Sequence, residues 1–258
     1  MRLGNQCCEP MANLFCTLAL GEKYAKIARY LVADFADYSQ QILILTDCAR
    51  VFKRFKNAIV VHYRPTFFSY HDKRLALIEA LKLAETAIFI DSDCVLRFGL
   101  KPETVRKAFA FRFPPGFHAW KVSSIANAGV YVYPEKEALA RKWGLKFDRD
   151  RITYQEMLFA LTKESGKESK FFVLWDKFEK EATARQDPGA GEGTCMGIAA
   201  QGSGLTCHDS QYFDVSMLSR LFWHARLDYR KRAVQKLNFG VKRLLGLTQD
   251  PDLTLPAM

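Results

Sequence analysis

Two acidic residues flanking one small residue, Asp91-Ser92-Asp93, come directly after the apolar run Ala87–Ile90. Carboxylates are hard oxygen ligands that suit Mg2+ or Mn2+, cations that keep waters and bind substrate phosphates. Alternate side chains of an extended chain point the same way, so both carboxylates are expected on one side. A cation held there would offset the negative charge that develops on a departing diphosphate. An acidic turn closing a strand is the plainer alternative, because three-residue matches are common. Placement directly after a buried strand favours the metal site.

Other residues compete for roles around this pair. His224, in Leu221-Phe222-Trp223-His224, offers an imidazole that could complete a metal site; a half-buried histidine bonded to the backbone is the bland alternative. His208, in Cys207-His208-Asp209, is the rival third ligand. Cys195, Cys207 and His208 lack the paired C-x2-C spacing that zinc sites show. Gly189, Gly191 and Gly193 resemble a phosphate loop only superficially, since no strand leads into them. Lys73 and Arg74 open an expected helix, where cations oppose the helix dipole. A bound donor phosphate would remove that conflict, and solvated surface charge is the alternative.

The elements that must position these residues read as an α/β pattern. Leu14–Leu20 is a short apolar strand, and Tyr24, Ile27, Leu31 and Phe35 then recur at helical spacing. Ile42–Leu45 and Ala58–Val61 are further strands. A helix carrying Leu75, Ile78 and Leu81 on one face precedes the Ala87–Ile90 strand. This β-α-β-β-α-β order predicts a mostly parallel sheet flanked by helices, with ligands outside the carboxyl ends of the strands. Gly21, Asp47 and the Asp91–Asp93 pair all fall at such ends. Further on, Asn127-Ala128-Gly129 reads as a turn entering the strand Val130–Tyr133, Tyr154–Thr162 as a helix and Phe171–Leu174 as a strand. Gln186–Gly204 holds six glycines and reads as a mobile loop. A basic helix is expected from about Phe222 to Leu247.

A chain of 258 residues with 49% hydrophobic and 13% aromatic content is expected to fold as one α/β domain with a C-terminal appendage, and disorder is excluded for most of it. The expected division is a catalytic domain over 12–224 and a basic segment over 225–258. No apolar run is long enough to span a bilayer, and no signal peptide is read at the start of the chain. Seven cysteines without regular spacing suggest reduced thiols and a cytoplasmic setting, peripheral to a membrane at most. The net charge of +10 calls for an anionic partner, and Arg226–Arg243 alone carries net +6. Leu227, Val234, Leu237, Val241, Leu244 and Leu245 share a helical face there, so this segment is expected to lie on an anionic membrane surface or to dock on the domain.

Four segments, in order, resemble glycosyltransferases of the GT-A fold, closest to family 8 with its glycogenin-like and bacterial lipopolysaccharide enzymes. Thr17-Leu18-Ala19-Leu20-Gly21-Glu22-Lys23-Tyr24 is similar to the first strand and nucleotide-binding turn. Ile88-Phe89-Ile90-Asp91-Ser92-Asp93 is similar to the metal-binding segment, with Lys73 about where the family has a lysine. Asn127-Ala128-Gly129-Val130 resembles the Asn-Ser-Gly-Val strand, and His224 the late histidine that joins the two aspartates on manganese. The resemblance spans roughly residues 14–230. It implies a UDP-sugar donor, Mn2+ or Mg2+, a saccharide or glycolipid acceptor and a retaining outcome. It also implies that Ala19, Leu20 and Tyr24 contact the base and ribose, with Gly21 in the same nucleotide-binding turn. Lys73, Asp91 and Ser92 would adjoin the donor, Asp91, Asp93 and His224 would hold the metal, and Asn127, Gly129 and Gln155 would orient the sugar. The sequence departs from the family where Tyr154 stands in place of an Asp before Gln155, with Glu156 following as the carboxylate that could assist catalysis. The Lys-Pro-Trp after the late histidine is absent, which leaves Arg226, Arg230 or Lys231 to grip the diphosphate.

Rival readings come from other classes. A nucleotidyltransferase would share sheet and metal site, but Gly21-Glu22-Lys23 is short and poor in glycine for its phosphate loop. A nucleic-acid-binding protein would explain the charge, but no helix-turn-helix or zinc-finger pattern is present. A degenerate transferase that binds sugar nucleotide without turnover is the third.

Overall fold

The computed structural model describes residues 11–65, 72–97, 100–121, 133–145, 154–184, 192–209 and 221–224. The expected Asn127–Gly129 turn and the basic segment 225–258 lie outside the described residues.

The first half forms as its pattern dictates. Strand β1 (Met11–Ala19) leads into helix α1 (Gly21–Ala36), which buries Ala25, Ile27, Ala28, Leu31, Val32 and Phe35 and leaves Tyr24 in solvent. Strand β2 (Ile42–Thr46) is buried along its whole length, as an interior parallel strand covered on both faces must be. A single 3-10 turn (Ala49–Phe52) crosses to β3 (Ala58–His62). Helix α2 (Lys73–Leu81) then returns the chain to β4 (Ala84–Ile90). The buried stripe of α2 is Lys73, Ala76, Leu77, Ala80 and Leu81, so the expected Leu75–Ile78 face is only half-buried. Small alanines let this helix sit close on the sheet.

The second half continues with β5 (Cys94–Leu96), α3 (Pro102–Phe109), β6 (Gly116–Lys121), α4 (Tyr133–Lys142) and β7 (Tyr154–Thr162). It closes with α5 (Lys167–Ala184), α6 (Glu192–Ser203), β8 (Cys207–Asp209) and β9 (Phe222–His224). Four expectations are overturned here. Residues 154–162 form a strand, because their apolar run fills the slot between β4 and β6 and pairs antiparallel with both. Residues 171–174 belong to a helix, because Phe171, Trp175 and Phe178 bury one face at spacings of four and three. The glycine-rich stretch contains α6, whose Cys195, Met196, Ile198 and Ala199 enter the core. At Phe222–His224 the chain is a strand paired with β5 where a helix was expected.

The main sheet has the order β3-β2-β1-β4-β7-β6-β8, and only β7 runs against its neighbours. Two cores sandwich it. Leu14, Cys16, Ala87 and Phe89 face the layer of α2, α5 and α6. Phe15, Ile44, Ile88 and Ile90 face α1 and α3, with Phe222 of β9 in the same cluster. Phe15, Phe35, Phe109 and Phe222 meet there with ring centroids 4.8–6.4 Å apart. This aromatic contact, worth about 0.5–1.5 kcal/mol per pair beyond area burial, anchors the short β5–β9 ribbon under the main sheet. The described helices include none long and apolar enough to cross a membrane.

Candidate functional site

The strand order reverses direction between β1 and β4, and a doubly wound sheet opens a crevice at that switch, beyond the carboxyl ends of the strands. Residue register shows what lines it. Ala19 pairs with Thr46 of β2, and Cys16 pairs with Phe89 of β4. The first βα turn and the acid pair thus follow the carboxyl ends of two adjacent parallel strands.

On the β1 side, Ala19 is fully buried and its carbonyl accepts the Thr46 hydroxyl at 2.6 Å. Leu20 is half-buried and extended before α1. Gly21 has φ +76°, the left-handed region that glycine enters without strain, and its N–H donates to Asp47 Oδ1 at 2.8 Å. Asp47 thus closes the turn and caps α1 with a carboxylate, the sign favoured by a helix N-terminus. Tyr24 stands one turn into α1 and is exposed, with Lys23 Nζ 5.7 Å from its ring centroid.

On the β4 side, the acid pair is not extended. Cys94 N–H donates to Asp91 O at 3.0 Å, which makes residues 91–94 a tight turn between β4 and β5. The expected reason for shared orientation, strand alternation, is therefore replaced. In the turn Ser92 is buried, whereas Asp91 and Asp93 both keep partial access to water. Asp91 N–H donates to Met157 O of β7 at 2.9 Å, which fixes the turn to the neighbouring strand. Burial pushes the Cys94 thiol far above its usual range, and the charges of Asp91 and Asp93 push it the same way. Cys94 is thus a neutral, inert neighbour.

Lys73 is not the solvated charge that its sequence position allows. It is 3% exposed, its Nζ lies 3.0 Å from Asp91 Oδ1 and donates to Glu156 O at 3.2 Å. The Phe89 ring lies 5.3 Å below it. Arg74 pairs with Asp176 of α5. Two carboxylates of the protein thus compensate the cations at the start of α2.

Glu156 sits on β7, and its Oε1 accepts the Gly193 N–H at 2.6 Å in the first turn of α6. The carboxylate expected to assist catalysis thus satisfies a free N–H in the first turn of α6. A Cβ on Gly193 would lie 2.1 Å from Tyr154 O, so this glycine exists for close approach of α6 to β7. It is no part of a phosphate loop. Gln155 occupies the adjacent β7 position, on a strand where a helix was expected.

The two histidine candidates separate clearly. His224 is the ladder partner of Cys94, so its backbone lies beside the acid turn. His208 lies on the edge strand β8, three strands from β4 and thus about 14 Å across the sheet. Its Nε2–H donates to Pro115 O at 3.0 Å, and its ring stacks on His118 at 4.3 Å. It belongs to the sheet edge. Asn127 and Gly129, with Arg226, Arg230 and Lys231, fall outside the described residues.

Asp91 and Asp93 carry hard oxygen donors of the kind Mn2+ or Mg2+ accepts, and the backbone of His224 runs beside their turn. Among the described residues no three His, Cys, Asp or Glu side chains make a closed cluster. Sequence reasoning missed the Lys73–Asp91 pair, the Met157 carbonyl and the Glu156–Gly193 cap. Only Lys73 carried a signal, as a cation at a helix start where the dipole disfavours it. No protein-family model matches the sequence, and no curated protein matches it.

Proposed function

We propose that the chain is a metal-dependent glycosyltransferase of the GT-A fold, similar to family 8, acting on a nucleotide-sugar donor of the UDP class. One observation supports the reading: the Gly21 turn and the Asp91–Asp93 turn follow the carboxyl ends of the adjacent parallel strands β1 and β4, with the His224 backbone paired to Cys94 just beyond the acid turn. A nucleotide diphosphate spans such a crevice, with its base toward the α1 turn near Leu20 and Tyr24. A bound Mn2+ or Mg2+ would stabilise negative charge on the leaving diphosphate. Asp93 and His224 would hold that cation. Asp91, oriented by Lys73, would bridge it to the ribose side. Lys73 keeps a buried positive charge within 3.0 Å of the acid turn, which also favours an anionic donor. Positioning and charge would supply most of the acceleration of attack by an acceptor hydroxyl. The acceptor class is a saccharide or glycolipid.

The test is Asp93→Ala, assayed for UDP release from UDP-hexoses with Mn2+ in excess. A fall of at least about 100-fold is expected for loss of a group that stabilises leaving-group charge. Turnover near that of the wild type would overturn the assignment. Binding of UDP-sugar with no turnover by the wild type would identify a degenerate transferase.

A further inference from the structure

The net charge of +10 is concentrated in two stretches. Ala49–His71 holds Arg50, Lys53, Arg54, Lys56 and Arg64 with no acid, and together with Arg226–Arg243 it accounts for the whole excess. Four of these cations lie on the crossover between β2 and β3. Phe52 is buried there and Phe55 packs against the same core that holds α1. Phe55 N–H donates to Phe52 O at 2.9 Å and Ala58 N–H to Phe55 O at 3.2 Å, so the crossover is a fixed turn. With both aromatics turned inward, Arg50, Lys53, Arg54 and Lys56 are all exposed. Among the described residues Lys53, Arg54 and Lys56 join no ion pair, and Arg50 acts only at range, on Glu22 and Cys48. Helix α1 runs alongside and adds exposed Lys23, Lys26 and Arg29. The exposed acids of α1 and its cap are Glu22, bonded to Lys26 at 2.7 Å, and Asp37. Tyr30 exposes 43% of its surface on the same helix.

Four cations within seven residues repel one another unless an anion lies near. A rigid turn that holds them together creates a standing positive field. We infer that this flank, the crossover with the outer face of α1, docks on an anionic lipid bilayer. Clusters of four to eight Lys and Arg bind anionic headgroups through summed charge without stereospecific contacts. An exposed tyrosine suits the bilayer interface. The crossover leaves β2 at Asp47, which closes the Gly21 turn, so a docked flank brings the crevice close to the lipid surface. This inference does not depend on sugar transfer.

The experiment is sedimentation of the full chain with vesicles of mixed phosphatidylserine and phosphatidylcholine, against phosphatidylcholine alone, at low salt. The wild type is compared with a variant carrying Arg50→Ala, Lys53→Ala, Arg54→Ala and Lys56→Ala. A control carries Lys142→Ala, Lys170→Ala, Lys177→Ala and Lys180→Ala, which removes equal charge from the opposite layer. Each surface cation contributes about a factor of five to binding. The crossover variant is expected to lose at least about tenfold in affinity for the anionic vesicles, and the control much less. Arg54→Glu alone should weaken binding in the same direction, which covers the case of a misfolded quadruple variant. Wild-type binding by the crossover variants, or equal loss by the control, overturns the inference. So does tighter binding to duplex DNA than to vesicles that vanishes in the crossover variant.

Discussion

Lys73 ties the acid turn to β7. Lys73 is buried against Phe89 and shared between Asp91 and the Glu156 carbonyl. Lys73→Met would remove the cation and leave the Asp91 carboxylate without it. Breaking a fully buried pair costs about 3–5 kcal/mol, but Asp91 keeps water on one side, so a loss of about 1–2 kcal/mol is expected in urea unfolding. Donor affinity should fall with it. Glu156 poses a sharper question, since a capping carboxylate and a catalytic carboxylate respond differently to one isosteric change. Glu156→Gln keeps an oxygen for the Gly193 N–H, whereas Glu156→Ala leaves that donor unmet and should cost about 1 kcal/mol. Activity assays should therefore find the Gln variant close to wild type and the Ala variant impaired. A dead Gln variant with wild-type stability would return Glu156 to the role of general base or acid.

At the scale of elements, the packing of the second half depends on how closely α6 approaches β7. Gly193→Ala forces a Cβ against the Tyr154 carbonyl, so α6 must move away and its cap from Glu156 must lengthen. Overpacking of this kind costs about 1–3 kcal/mol, and thermal unfolding should show it. Nothing in the sequence around Gly193 announced this, because the approach is made by a strand some forty residues earlier. The same divide runs through the whole fold. From Leu14 to Asp93 each strand and helix is a local pattern with its own boundary residue, and the α/β order and the strand-end positions of Gly21, Asp47 and Asp91 were legible. In 154–174 the pattern was ambiguous, since a short apolar run fits a buried strand or a helix until its neighbours are known. Tyr154–Thr162 became a strand because β4 and β6 offered free edges, and Phe171–Leu174 became helical because Trp175 and Phe178 extend its buried face. The Asp91–Asp93 pair was legible as a short motif, but its turn geometry was not, because the Cys94 N–H bond that closes it involves a residue outside the motif.

The whole molecule is held together by groups whose ionisation limits it at both ends of the pH scale. At the acid end, burial raises the Asp176 carboxyl, but the Lys180 hydrogen bond and the Arg74 charge outweigh it and hold the group below its usual range. Such a group stabilises the fold above its unfolded value of about 3.9 and loses that contribution as pH falls through the lower folded value. Asp176→Asn should therefore flatten the decline of the urea midpoint below about pH 4. At the alkaline end, burial pushes the thiols of Cys16 and Cys94 far upward. An unfolded thiol ionises near pH 8.5, so above that value the unfolded chain sheds protons that the folded chain retains. Stability is then intact below about pH 8.5 and falls as pH rises beyond it, by up to about 1.4 kcal/mol per unit for each thiol. The measurement is the urea midpoint between about pH 7 and 10 for the wild type and for a Cys16→Ala, Cys94→Ala variant. The variant starts lower, because two small cavities open in the two cores, so the informative quantity is the slope. A shallower alkaline slope in the variant is expected, and parallel slopes would mean that neither thiol is shielded from water as the packing of β1 and β5 requires.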